Sequence, residues 1–294
     1  LSAGAEIVNQ KGEVIQKSKG LTRDKLCLAI AQLGNGDGAP FLDLKPIGKE
    51  KLLARFPQTH EQVRTVAGLD ALKDLIPIRP VAHRPMGGIE TSANGETSIA
   101  GLFAVGECAC NGLNGAGRLA GNTLTEAVVF GRRIGEAASQ YAKSAPKKNF
   151  PAGKLPDEEK QLAALTSGSS SGDTLGKIHS ELGQLMNEKV GLKRDSKGLQ
   201  EAINGIKQLK ERHQKIPVRN TSRIYNYELT SGLELGAMLA LAEAVTLSAQ
   251  SRSESRGAHR RTDFPNLDDQ NWKHHTTVKL AQGSAQVEKR ALAN

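Results

Sequence analysis

Residues 112–127, GLNGAGRLAGNTLTEA, set one arginine, Arg118, among glycines 112, 115, 117 and 121 and lead directly into a helical pattern. A guanidinium carried on a glycine-rich loop suits two-pronged carboxylate binding, because its planar fork matches the two oxygens. The helix start that follows adds unsatisfied backbone N–H groups and the positive end of a helix dipole, both favourable to an anionic ligand. Two nucleotide-binding readings fit poorly. A dinucleotide fingerprint needs Gly-x-Gly-x-x-Gly after a first strand, with an acidic residue roughly twenty positions on; GAGRLAG has other spacing and lies in mid-chain. A Walker loop needs Gly-Lys-Ser/Thr, which this stretch lacks.

The elements needed to hold this loop can be read on either side of it. LFAVGE predicts a buried strand ending at Glu107, and an amphipathic helix is predicted from Leu124 to about Lys143. Upstream, AEIVNQKGEVI reads as two short extended pieces around a Lys-Gly turn, and TRDKLCLAIAQL as a helix with Thr22 at its N-cap. FLDL reads as a buried strand, and GKEKLLARFPQTHEQVRTV as a helix broken near Pro57. Pro77, Pro80 and Pro85 impose an extended run, and ANGE is a hairpin turn. KSAPKKNFPAGKLPDEE and TSGSSSGD are linker-like in composition. Beyond them TLGKIHSELGQLMNEKV, SKGLQEAINGIKQLKERHQ and LELGAMLALAEAVTLSAQS are three helices at helical spacing. The order is mixed α/β to about residue 145, followed by a helical domain and a polar, charged tail from about 252.

The composition narrows the function classes. No run approaches the ~20 consecutive apolar residues of a bilayer span, and the N-terminal stretch has no signal-like pattern. A net charge of +9 with only 3% aromatic residues and dispersed Lys/Arg gives no basic stripe or stacking platform, which argues against nucleic acid. Cys27, Cys108 and Cys110 are too few, and odd in number, for a disulfide framework, and Cys-x-Cys spacing fits neither zinc nor a redox pair. Small buried apolar residues is the reading for Cys108 and Cys110. His274-His275 reads as a solvated tail rather than a metal site, and ESRGAHRRTDFPNLDD as an internal brace for the helical bundle with a partner-facing edge.

RPVAHRPMGGIETSANGETSIAGLFAVGECACNGLNGAGRLAGNTLTEAVVFGRRIGE and ELTSGLELGAMLALAEAVTLSAQSRSESRGAHRRTDFPNLDDQNWKHHT closely resemble the flavoprotein subunit of succinate dehydrogenase and fumarate reductase. The resemblance is strongest over 75–140 and 225–278. It implies that Arg23 in TRDK matches the proton-transferring arginine, His83 in AHRPMGG the substrate-binding histidine, and Arg118 a carboxylate-binding arginine. It also implies that Glu107 meets the flavin ribose, and that Thr123 and Leu124 meet the flavin ring through their backbone. Asn114 stands where the family usually has His, and Gly117 where it usually has Asn.

The resemblance implies a fold of α/β plus α. Residues 1–75 would be a capping-domain portion and 76–145 the distal part of a flavin-binding α/β domain. A linker at 146–173, a helical bundle domain at 174–252 and an extended tail at 253–294 would follow. The N-terminal glycine motif and the flavin-tethering histidine of the family have no counterpart in these 294 residues. The chain is therefore expected to be the C-terminal half of a split complex II flavoprotein, interconverting succinate and fumarate. It would share FAD with a separate N-terminal-half chain and pass electrons to an iron–sulfur subunit that alone carries clusters, with membrane anchor subunits attached indirectly. The expected location is the matrix side of the mitochondrial inner membrane, peripherally, or a bacterial or archaeal cytoplasmic face. The rival readings are an L-aspartate oxidase-like flavoenzyme and a non-catalytic assembly subunit that keeps the fold.

Overall fold

A computed structural model describes residues 1–16, 21–33, 39–83, 86–119, 121–146, 173–220, 222 and 224–292. The chain forms two compact units, Leu1–His83 and Arg84–Asn294.

In the first unit, β1 (Glu6–Val8), β2 (Val14–Gln16), β3 (Phe41–Asp43) and β4 (Ile76–Pro77) make an antiparallel sheet in the order β2-β1-β3-β4. The Asn9 side chain closes the β1–β2 turn by accepting from the N–H groups of Lys11 and Glu13, both at 3.0 Å, the local bonding that favours Asn in turns. Helix α1 (Arg23–Gln32) begins after Thr22, as the spacing predicts, although no side chain caps it. The helix broken at Pro57 resolves into α2 (Lys49–Arg55) and α3 (Pro57–Ala67). Proline is tolerated at a first helical position, where the missing N–H has no intrahelical partner. Leu44, Ile47, Leu52 and Ala71 form the core. Because β4 pairs with β3, the division expected at 75/76 lies within this unit.

The second unit opens with β5 (Ile89–Glu90), parallel to β6 (Ala109–Cys110). Gly88 permits their approach: a Cβ there would lie 2.6 Å from the Cys108 carbonyl oxygen. ANGE forms its turn, with the Ser92 N–H donating to Glu96 O and the Gly95 N–H to Ser92 O. LFAVGE is not the buried strand expected. Phe103 makes a single bridge to Glu96, Ala104 N–H donates back to Gly95 O, and Leu102 and Val105 are exposed. Its backbone bonds are satisfied by the preceding turn, and Gly106, at φ +78, then turns the chain into a short 3-10 helix, Gly106–Cys108.

Helix α4 (Asn122–Ser144) follows the glycine loop. Helices α5 (Leu175–Lys189), α6 (Ser196–His213) and α7 (Tyr227–Ser251) pack around Ile178, Leu182, Ile206, Leu209, Leu235 and Leu239. The side chains of Thr174, Asp195 and Asn226 each accept from a first-turn N–H of the helix they precede, satisfying a donor that the helix itself cannot. By length and composition α7 is apolar enough to cross a membrane, which the expectation from apolar runs did not register. It contributes Leu235, Leu239, Ala242 and Ala249 to the interior of the bundle, while Leu233, Met238 and Leu241 are exposed. The segment expected as an extended tail contains α8 (Asp269–Trp272) and a hairpin of β7 (His274–Ala281) and β8 (Ser284–Ala291). Gln282 and Gly283, both at positive φ, form its two-residue turn. Most of the predicted linker, 147–172, lies outside the described residues.

Candidate functional site

The loop between β6 and α4 bends through Gly112, Gly115 and Gly121 at φ +82, +54 and +87, a region that side-chain-bearing residues rarely enter. Arg118 sits within it, 12% exposed, with Nη2 2.9 Å from Oε2 of Glu126, which is 4% exposed. Glu126 lies one turn into α4, and the same Oε2 accepts a hydrogen bond from Nδ2 of Asn114 at 2.8 Å. A carboxylate can only accept, so this bond fixes the Asn114 amide with its oxygen turned away from Glu126. Asn114 Oδ1 and Arg118 Nε are buried with no hydrogen-bond partner among the described residues. Arg118 thus has one edge committed to Glu126 and retains donor capacity.

A cleft of about 30 Å³ adjoins these groups, lined by Met86, Cys110, Asn111, Asn114, Arg118 and His275 among others. Ligand pockets run to ~300 Å³ or more, so these residues form one wall of an open cleft and not a closed ligand pocket. His275 is half-buried against this wall. A Cβ at Gly112 would lie 3.1 Å from its Nε2. The solvated-tail reading of His274-His275 is corrected here, because the hairpin carries both inward. His274 lies beside the Trp272 ring at 5.1 Å, and burial, then the Arg252 charge, pushes its pKa down. Sequence spacing offered no signal for His275, which reaches the loop from more than 150 positions away.

The Cys108 and Cys110 reading needs the same correction: Cys108 is exposed and Cys110 half-buried, both as free thiols. Cys108 lies in the 3-10 turn, where its side chain faces outward while Ala109 takes the buried position.

The stretch 252–269 braces both the loop and the bundle. Gly257, at φ +56, approaches so closely that a Cβ would lie 2.2 Å from the Ala116 carbonyl oxygen, and Ala258 N–H donates to that oxygen at 3.0 Å. Arg261, 2% exposed, donates to the Ala249 carbonyl at the end of α7, to the Ser196 hydroxyl and, through two nitrogens, to Asp263. A cation there complements the negative end of the helix dipole. Glu254 is fully buried. Burial alone would raise its carboxyl, yet the bonds from Arg256 and the Asp268 N–H hold its pKa below the ordinary value. His259 Nδ1 lies 2.9 Å from Arg194 Nη1, and since an arginine can only donate, the imidazole is neutral with its proton on Nε2, toward the Arg252 carbonyl. Burial first, then the Arg194 charge, lowers its pKa to about 4.

Four of the residues singled out from the sequence fall in the second unit. Arg118 is on the loop, Glu107 is exposed in the 3-10 turn, and Thr123 and Leu124 open α4, whose N-terminus no side chain caps. Leu124 is 71% exposed. Arg23, exposed in the first turn of α1, and His83, exposed at the end of its unit, belong to the first. Sequence reading missed Glu126, whose only signal was an acid on the helix that follows the loop.

A family model described as FAD binding domain matches residues 2–124, and one described as fumarate reductase flavoprotein C-term matches 179–293. The fumarate reductase flavoprotein subunit of Haemophilus influenzae is 41% identical over 246 residues, which cover 83% of this chain and 41% of that protein. The succinate dehydrogenase flavoprotein subunit of Coxiella burnetii is 33% identical over 299 residues, covering 93% of this chain and 50% of the relative. A solved quinol–fumarate reductase with menaquinol molecules superposes at TM-score 0.90 with 34% identity, covering 100% of this chain and 56% of the other. The chain spans about half the length, or less, of the curated relatives it matches.

Proposed function

Because the chain belongs to the succinate dehydrogenase and fumarate reductase flavoprotein family, we propose that it supplies part of an FAD-dependent site interconverting a four-carbon dicarboxylate and its unsaturated partner. The observation that carries this reading is Arg118: a nearly buried guanidinium on a glycine loop, held on one edge by Glu126 and with Nε unpaired among the described residues. Arg118 would grip one substrate carboxylate and fix the reacting carbons in place, the positioning on which such a transfer depends.

What supports the flavin reading is the start of α4 at Asn122–Leu124, a helix N-terminus that no side chain caps and that suits an anionic group. Glu107, Thr123 and Leu124 would hold FAD, which when bound supplies hydride-accepting and hydride-donating chemistry. His83 would bind the second carboxylate. Arg23 would move the proton at the neighbouring carbon, as a general acid and base.

The remaining walls would come from polypeptide outside these 294 residues, in the split reading a separate chain carrying the first half of the flavin domain. The relatives are named as subunits, which supports a multi-chain assembly. An iron–sulfur subunit would exchange electrons with the flavin, and anchor subunits would hold the assembly at a membrane face.

The test is Arg118→Lys in the complex that co-purifies with this chain. Lysine keeps the charge and loses the two-pronged geometry. Succinate turnover falls at least a hundredfold while flavin content stays at the wild-type level. Unchanged turnover would refute the assignment.

A further inference from the structure

The pairing of Glu126 is more specific than a surface ion bridge. Its carboxylate is 4% exposed, and one oxygen, Oε2, takes both the Arg118 Nη2 donor at 2.9 Å and the Asn114 Nδ2 donor at 2.8 Å. Glu126 stands on a long helix, while both its partners stand on the loop. A carboxylate on a rigid element that ties two loop side chains to one atom fixes the direction in which the loop presents its guanidinium. The contact also leaves Arg118 Nε without a partner among the described residues and turns Asn114 Oδ1 away, both buried beside the cleft.

We propose that Glu126 is the positioning residue of the dicarboxylate site: it sets the orientation of Arg118, and with Asn114 it locks the loop between β6 and α4 into its binding shape. This rests on the function proposed above. Glu126 acts through Arg118 and touches no substrate. Its loss therefore leaves the positive charge that attracts the diacid and removes the alignment that makes the bound diacid reactive. Binding and turnover should separate, since misplacement by ~1 Å can cost a hundredfold in rate while a charge still attracts its ligand.

Glu126→Gln preserves the side chain's shape and removes its charge. In the co-purified complex, kcat for succinate falls at least tenfold, KM stays within about threefold of wild type, and flavin content and Tm are kept. A merely structural role would lower Tm and flavin content together with kcat. That result, or a kcat within twofold of wild type, overturns the proposal. If Glu126→Gln does not accumulate, Asn114→Ala tests the same device by removing the second donor while leaving Arg118 and Glu126 paired. It should lower kcat three- to tenfold, and an unchanged kcat overturns the proposal equally. A flavin-loaded wild-type complex without succinate turnover sinks the proposed function itself, whereas an active wild type with an indifferent Glu126→Gln sinks only this inference.

Discussion

Gly257→Ala tests how the brace supports the site. A Cβ at this position would lie 2.2 Å from Ala116 O, 2.6 Å from its carbonyl carbon and 2.8 Å from its Cβ. Real Cβ atoms keep at least 3.0 Å, so the two segments must part by about 0.8 Å. Three costs follow. An alanine at φ +56 costs ~1–2 kcal/mol, the strained Ala258 N–H to Ala116 O bond ~1 kcal/mol, and the overpacking ~1–3 kcal/mol. Gly115→Ala isolates the first term, because Gly115 has a similar φ of +54 on the same loop and nothing within 4 Å of a built Cβ. The difference between the two variants is therefore about 2–4 kcal/mol, which in a unit of this size corresponds to a melting point lower by roughly 4–16 °C. Ala116 is two residues from Arg118, so the displaced loop also misdirects the guanidinium, and turnover in Gly257→Ala falls at least tenfold below that of Gly115→Ala. Thermal melts and succinate assays on the two co-purified complexes decide the matter. Equal melting points and equal turnover would show that the close approach supports neither the fold nor the site.

Acid stability should depend on His259. Its folded pKa, about 4, lies below the ordinary 6.5, so the unfolded chain takes up the proton first as pH falls. The stabilisation is fully present above pH 6.5 and is lost between there and pH 4; discounted for partial exposure, it amounts to about 1–2 kcal/mol. Denaturant melts at pH 7 and pH 5 should show His259→Gln losing less stability than wild type over that interval, and equal losses would remove His259 from the account. Arg261→Met should lower stability by about 3–5 kcal/mol, because it leaves Asp263 and the end of α7 without the guanidinium that joins them. A melting point within 1–2 °C of wild type would show that the network carries little.

The three-helix bundle was legible in the sequence because helical periodicity is a local property: Ile178 and Leu182, or Ile206 and Leu209, lie on one face through spacing alone. The same holds for the break at Pro57 and the turn at Ser92–Glu96, each written in glycine, proline and polar residues a few positions apart. LFAVGE was misread because a short apolar run is compatible with several environments. Its own turn had already satisfied its backbone, and no pattern within it records that.

What only the tertiary structure decided are pairings across distance. Glu126 became the partner of Arg118 because α4 points its first turn back at the loop, and His275 reached the cleft because a hairpin folds the tail inward. Gly257 met Ala116 because a segment some 140 residues later packs against the loop. One-dimensional patterns report which face of an element is apolar. Which charged side chain meets which follows from where the packed elements leave their ends, and that is settled by the core as a whole.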